Sequence, residues 1–327
     1  MSDLRAGVVG LGVMGRHHCR VLSQLDGVDF VGVFDPAENV PEHINGAPVF
    51  RDLQEFLGLG LDYCIVAAPT AHHLELGREL AARGIHALIE KPVASDSPSA
   101  IELQELFATA GLIGGVGHIE RYNPALQSMR RRIEDGLLGE IYQITTKRQG
   151  PFPGRIADVG VVKDLATHDI DLTAWVSQQS YVSINARTAH RSGRSHEDMV
   201  LAIGTLSDST IVSHTVNWLS PFKERTTVVL GEKGALVADT LSADLTHYQN
   251  GVIETSWDRI STFRGVSEGD MTRFALHRTE PLLAEHIAFR NAVTSGDPTG
   301  IVTLAEGAAV VSIAERFVAD GQDHKLK

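Results

Sequence analysis

The stretch VVGLGVMGRHH, Val8–His18, decides how the rest of the chain is read. It sets Gly10, Gly12 and Gly15 in the spacing GxGxxG, after an apolar run and ahead of a helical pattern. At such a junction the first glycine makes a tight turn and the second lets the backbone approach a pyrophosphate. The third lets the helix pack on the strand. The helix start, through Val13 and Met14, then turns its main-chain amides toward negative charge. The motif alone is weak, because glycine-rich turns also serve purely structural ends. Its setting strengthens it: Asp35 closes the second apolar run 20 positions after Gly15, where an acid that binds ribose hydroxyls belongs. Phe34-Asp35-Pro36 carries no basic group for a 2′-phosphate, which favours NAD over NADP.

Working outward, AGVVGL, DFVGVF, DYCIVAA, HALIE and LIGGVG are short, almost continuously apolar runs, as buried strands require. Helical patterns separate them, and such alternation predicts a parallel sheet covered on both faces. Near Gly117 the pattern changes. A helix around PALQSMRRRIEDG and the strand EIYQITTKR lead to a second helix within ADVGVVKDLATHDID. Runs of period-two character follow, from YVSINARTAH to GALVAD, which argue for a largely antiparallel sheet. Two helices close the chain, one with an early proline before Gly296 and one opened by the capping box Thr303–Glu306. The expected fold is an α/β Rossmann domain over 1–119. An α+β domain with an open, mostly antiparallel sheet follows over 120–327, and the last helices can pack back on the first domain.

The chain has 327 residues, 43% hydrophobic and 21% charged, as in a soluble globular protein of about two domains. No run approaches the roughly 18 apolar residues of a membrane span. MSDLRAGVVG lacks the pattern of a secretory signal. Two cysteines, Cys19 and Cys64, are too few for a disulfide framework. A cytoplasmic protein without a membrane partner is expected. The net charge of −12 argues against nucleic acid.

Candidate ligand groups follow the strands. ALIEKPVA puts Glu90, Lys91 and Pro92 at the carboxyl end of a strand, where open sheets bind ligands. Lys91 there can donate to a nicotinamide ribose and to a substrate hydroxyl, although most lysines are simply exposed. AAPTAHH likewise sets Pro69, Thr70 and His73 beside the expected cofactor, with His72 read as a surface residue.

Taken in order, GxGxxG, Asp35, PTAHH, EKP and DLATHDID resemble the glucose–fructose oxidoreductase / inositol dehydrogenase / rhizopine-catabolism (Gfo/Idh/MocA) family over almost the whole chain. The resemblance implies a Rossmann domain and a second domain whose open sheet often mediates oligomerisation, here into a homodimer or homotetramer. It also implies NAD(P)-dependent chemistry on sugars or polyols, with Lys91, Asp164 and His168 as the catalytic set. GHIERYNPA and PFPGRIADVGVVKDLATHDIDL are similar to nucleotide-sugar members, the UDP-N-acetylglucosamine 3-dehydrogenases. That narrower resemblance implies His118, Glu120 and Asn123 as substrate contacts. The lead-in to the D-x-x-x-H helix departs from the glycine-rich pattern, with Gly160 as its single glycine.

The chemistry agrees with those assignments. Oxidising a secondary alcohol requires a base that titrates near neutral pH, and His168 suits it. Asp164, one turn earlier, can orient the imidazole, and Lys91 can stabilise alkoxide charge. A zinc site needs about three protein ligands, and neither an HExxH motif nor a cysteine cluster completes one. On a helical projection Asp169 falls on the apolar stripe, which predicts a structural acid, and Asp171 reads as a support of the helix face. Arg148 and Arg155 flank GPFPG and are read either as a pyrophosphate clamp or as solvated loop arginines. The expected activity is oxidation of the 3-hydroxyl of a UDP-N-acetylhexosamine. An inositol, polyol or simple-sugar dehydrogenase is the alternative, and a non-catalytic NAD-binding regulator is a third reading. The presence of Lys91, Asp164 and His168 together argues against the regulator.

Overall fold

A computed structural model describes residues 3–154, 159–251 and 267–323. The chain divides into two compact units, Met1–Ile119 with Glu280–Glu315, and Glu120–Thr279 with Arg316–Lys327.

In the first unit the apolar runs form β1 (Leu4–Val9), β2 (Val28–Phe34), β5 (Tyr63–Val66), β6 (His86–Glu90) and β7 (Gly114–Gly117). A hairpin that periodicity did not reveal, β3 (His43–Ile44) and β4 (Ala47–Phe50), turns at Asn45-Gly46, both with positive φ, the usual chemistry of a two-residue turn. The sheet order is β3-β4-β2-β1-β5-β6-β7, parallel except for that hairpin. Helices α1 (Val13–Leu22), α2 (Leu53–Leu57), α3 (His73–Ala82) and α4 (Ser97–Thr109) connect the strands. The continuous apolar character of the strands follows from burial on both faces. Val8, Ile65 and Leu88 meet Leu22 and Phe289 on one side, while Val9, Val66 and Ile89 meet Phe56, Leu103 and Phe107 on the other.

In the second unit α5 (Pro124–Glu134) precedes β8 (Ile141–Pro151), a π turn (Val162–Ala166) and α6 (Thr167–Ser177). Strands β9 (Tyr181–Ala189), β10 (Met199–Leu206), β11 (Ile211–Asn217), β12 (Leu219–Gly231), β13 (Gly234–Asp239), β14 (Asp244–Gly251) and β15 (Ser267–Arg273) follow. They form an eight-stranded sheet in the order β15-β14-β13-β12-β8-β11-β10-β9. It is antiparallel except where β11 runs parallel to β8. Alternate residues such as Ile144, Val212 and Val229 are buried under the helices, while Leu201, Ile203, Ile211, Leu230, Tyr248 and Met271 are exposed.

The closing helices are α7 (Pro281–Ser295), stopped by Gly296 in the left-handed conformation, and α8 (Leu304–Asp323). Helix α7 belongs with the Rossmann sheet: Phe289 packs edge-on against Tyr63, and the Val116 amide donates to the Val302 carbonyl just ahead of α8. The capping box forms as expected, with the Glu306 amide donating to Thr303 Oγ1 and the Thr303 amide to Glu306 Oε2. None of the helices among the described residues is long and apolar enough to cross a membrane.

Candidate active site

The glycine turn follows β1, the strand at which the sheet order reverses direction, and such a reversal opens a crevice at the carboxyl ends of the strands. Gly10 has φ of +96°, and a Cβ there would lie 2.7 Å from the Ala67 carbonyl oxygen. A Cβ on Gly15 would overlap the Gly10 carbonyl oxygen. Gly12 differs, since nothing lies within 4 Å of where its Cβ would be. It caps α1 without a side-chain hydrogen bond, so Val13 and Met14 begin a helix whose first amides are left to another partner. Asp35, just past β2, accepts from the Leu11 amide with Oδ2 at 2.7 Å and from the Ala37 amide with Oδ1 at 2.9 Å. Those bonds hold its carboxylate against the glycine turn. An open backbone cradle at a helix start, with a carboxylate beside it, is the donor and acceptor set that a dinucleotide requires.

Pro69 and Thr70 open a short 3-10 turn after β5, with Pro69 exposed and Thr70 half-buried. His73 is buried instead of presented outward. Its Nδ1 lies 3.1 Å from the Pro92 carbonyl and its Nε2 2.9 Å from the Ala68 carbonyl, and burial lowers its pKa. The ring thus ties the turn after β5 to the turn after β6. His72 is exposed. Glu90 ends β6 with Oε1 against His18 Nε2 at 2.9 Å, while Oε2 accepts from the Lys91 amide at 3.1 Å. Burial opposes ionisation of Glu90, but His18 and Lys91 outweigh it and bring its pKa below the usual carboxylate value. Lys91 itself is half-buried. His118, beyond β7, is buried, and its amide donates to the Val116 carbonyl.

In the second unit Asp164 lies within the π turn and His168 on the first turn of α6, both buried. A π turn, one residue wider than an α turn, is frequent at functional sites. Glu197, which sequence reasoning missed, controls this segment. Its Oε1 accepts from the Val162 amide at 3.1 Å, and its carbonyl accepts from the Val161 amide at 2.9 Å. Any Cβ on Gly160 would overlap the Glu197 carboxylate, so the single glycine of the lead-in is where close approach requires it. Nothing in the spacing of Glu197 announced this role.

Asp169 is buried beneath the helix, as the projection indicated, and takes Arg148 Nε at 3.1 and 3.2 Å. Arg148 departs from both readings made of it. It lies inside β8 at 2% exposure, and its Nη1 donates to Glu120 Oε1 at 2.8 Å. Neither a cleft-edge clamp nor a solvated loop residue fits that environment. The guanidinium is committed to two carboxylates, one of them the expected substrate contact Glu120, which Arg225 Nη1 also approaches at 3.3 Å. Burial, with the charge of Glu120, pushes Asp169 up to about 6 against the pull of Arg148. Asn123 caps α5: its Oδ1 accepts from the Ala125 amide and its Nδ2 donates to the Thr240 carbonyl. Asp171 supports the helix through Arg121, at 2.6 and 2.9 Å. Trp218 packs edge-on against Phe152. Arg155 lies outside the described residues.

Comparison with known proteins places this geometry in context. Residues 4–118 match the family model described as "Oxidoreductase family, NAD-binding Rossmann fold", and residues 126–237 match the GFO/IDH/MocA C-terminal domain. A UDP-N-acetylglucosamine 3-dehydrogenase from Acidithiobacillus ferrooxidans is 26% identical over 302 residues, 91% of each chain. An inositol 2-dehydrogenase from Corynebacterium glutamicum is 25% identical over 231 residues, 66% of this chain and 67% of its own. Among solved structures, a scyllo-inositol dehydrogenase from Lactobacillus casei, with bound NAD(H) and scyllo-inositol, superposes with a TM-score of 0.81 at 17% identity. That match covers 99% of this chain and 98% of the other. The chain belongs to the Gfo/Idh/MocA oxidoreductase family, with an NAD-binding Rossmann domain followed by the family's C-terminal domain.

Proposed function

We propose that the protein oxidises a secondary alcohol of a nucleotide sugar, the 3-hydroxyl of a UDP-N-acetylhexosamine, and that it works in the cytoplasm. The observation that carries the substrate class is the extent of likeness. Sequence similarity to the UDP-N-acetylglucosamine 3-dehydrogenase runs through nearly all of both chains, second unit included, whereas sequence similarity to the Corynebacterium inositol dehydrogenase covers two thirds; the full-length likeness to the scyllo-inositol dehydrogenase structure is one of fold. NAD, when bound, supplies the hydride acceptor. Gly12 and the first turn of α1 hold its pyrophosphate, and Asp35 takes its ribose hydroxyls, with Pro69 and Thr70 beside it. His168 removes the hydroxyl proton at an imidazole nitrogen, Asp164 orients the ring, and the Lys91 ammonium stabilises the alkoxide. His118 contacts the sugar.

The inositol relatives favour a second reading, a polyol dehydrogenase. NADH formation measured by absorbance against UDP-N-acetylglucosamine, myo-inositol, scyllo-inositol and simple sugars separates the two. Turnover with the nucleotide sugar is expected, and turnover with an inositol alone overturns the proposal. The exposed apolar side chains on one face of the second sheet suit a second copy of the chain, giving a homodimer or homotetramer.

A further inference from the structure

The first unit buries a line of titratable groups that the chemistry above leaves unused. His18, one turn into α1, reaches Glu90 with Nε2, and its Nδ1 lies 2.8 Å from Nε2 of His286 on α7. His18 is 0% exposed and His286 1%. Beside them Glu285 is buried at 1% exposure, and neither of its carboxyl oxygens has a hydrogen-bond partner among the described residues. The line ends at the backbone of Lys91, because the second oxygen of Glu90 takes the Lys91 amide. Three elements distant in sequence therefore meet at the turn that presents the lysine.

A carboxylate only accepts hydrogen bonds, so His18 donates from Nε2 and fixes which way the Glu90 carboxyl group faces. With Oε1 held by the imidazole, Oε2 points at the Lys91 amide. His286 holds the other ring nitrogen of His18, as an orienting partner does behind a functional imidazole. Burial, reinforced by the charge of Glu90, raises the pKa of Glu285, whereas His18 and Lys91 lower that of Glu90.

We propose that His18, backed by His286, is a positioning group for Lys91, acting through Glu90 to fix the main chain from which the ammonium is presented. The inference rests on the reading that Lys91 contacts the reacting hydroxyl. It extends that reading to two residues that touch neither substrate nor cofactor.

Two measurements test it. Hydrogen–deuterium exchange on the full chain reads the Lys91 amide without any substrate. His18→Leu is expected to speed its exchange by about tenfold, the worth of one hydrogen bond. His18→Gln, whose amide nitrogen can replace Nε2, is expected to stay near wild type. Unchanged exchange in His18→Leu overturns the proposal, and His286→Leu gives the same test one step further back should His18→Leu fail to fold. The second measurement is a double-substitution cycle on turnover of UDP-N-acetylglucosamine. His18→Leu alone should lower kcat by roughly 10- to 100-fold, the scale of a small misplacement, with recovery in His18→Gln. In a Lys91→Met background it should cost nothing further, and an additive loss overturns the proposal. Full turnover in Lys91→Met alone refutes the role given to Lys91, while the exchange result still decides whether His18 orders its amide.

Discussion

Replacing Arg148 with methionine gives the sharpest test of how the second unit is built. The guanidinium lies between Asp169 and Glu120, at 3.1 and 2.8 Å, and is 2% exposed. Methionine fills similar volume without charge and leaves two buried carboxylates, of which Glu120 keeps Arg225 at 3.3 Å. Removing one partner of a buried ion pair costs about 3–5 kcal/mol. For a unit of this size that corresponds to a fall in apparent Tm of roughly 6–20 °C. The loss should depend on pH. Asp169 already sits at about 6 in the folded protein, above its ordinary 3.8. A carboxyl group raised in this way is best tolerated at low pH, and its contribution to stability is lost as pH rises through the folded value, about 3 kcal/mol in all. Without Arg148 the folded value climbs further, so the variant should be mildly affected near pH 4 and increasingly destabilised as the pH rises above 6. Adding Asp169→Asn and Glu120→Gln should restore most of the Tm, since no stranded carboxylate remains. Differential scanning calorimetry from pH 4 to 8 reads all of this. An unchanged Tm together with a raised KM for UDP-N-acetylglucosamine would refute the reasoning and return Arg148 to the role of a pyrophosphate ligand.

Further outcomes are expected elsewhere. His168→Ala should bind NAD as wild type in calorimetric titration but lose about 10²–10⁴ in kcat; unchanged turnover would remove it from the chemistry. Gly160→Ala, which drives a methyl group into the Glu197 carboxylate, should depress kcat more than NAD affinity, and equal losses in both would contradict a local effect on the Asp164–His168 segment. Glu285, buried and near the charge of Glu90, has a folded pKa raised well above 4.5. Wild-type stability should therefore fall more steeply with rising pH than that of Glu285→Gln, and parallel pH curves would show that Glu285 is not a buried neutral acid. Ile203→Glu on the exposed sheet face should yield monomers in light scattering if that face meets a second copy; an unchanged mass would place the oligomer contact elsewhere.

Much of the fold was legible locally because its determinants are local. Continuous apolar runs such as Tyr63–Val66 report burial on both faces of a strand, and the alternation of Val212, His214 and Val216 with Ser213 and Thr215 in β11 reports burial on one. Glycine spacing, the Thr303–Glu306 box and Gly296 mark turns and helix ends within a few residues of themselves. The same locality identified Gly12, Asp35 and Lys91 at strand ends and set Asp169 on the inward side of its helix. Burial of α1 at Gly15, His18, Cys19 and Leu22, three or four apart, could also have marked His18 as facing inward.

The partners of charged and polar groups were decided only by tertiary structure. Arg148 meets Asp169 and Glu120 from 21 and 28 residues away, Glu197 reaches Val162 across 35, and His18 finds His286 across 268. Sequence indicates that a residue can donate, accept or carry charge, but not which complementary group folding brings within 3 Å. A glycine turn carries its geometry in its own backbone, so the sequence alone located the turn and the helix start that follows it. An arginine takes its function from whatever surrounds it, and only the folded chain set Arg148, read from sequence either as a phosphate clamp or as a solvated loop residue, as a buried brace beneath α6.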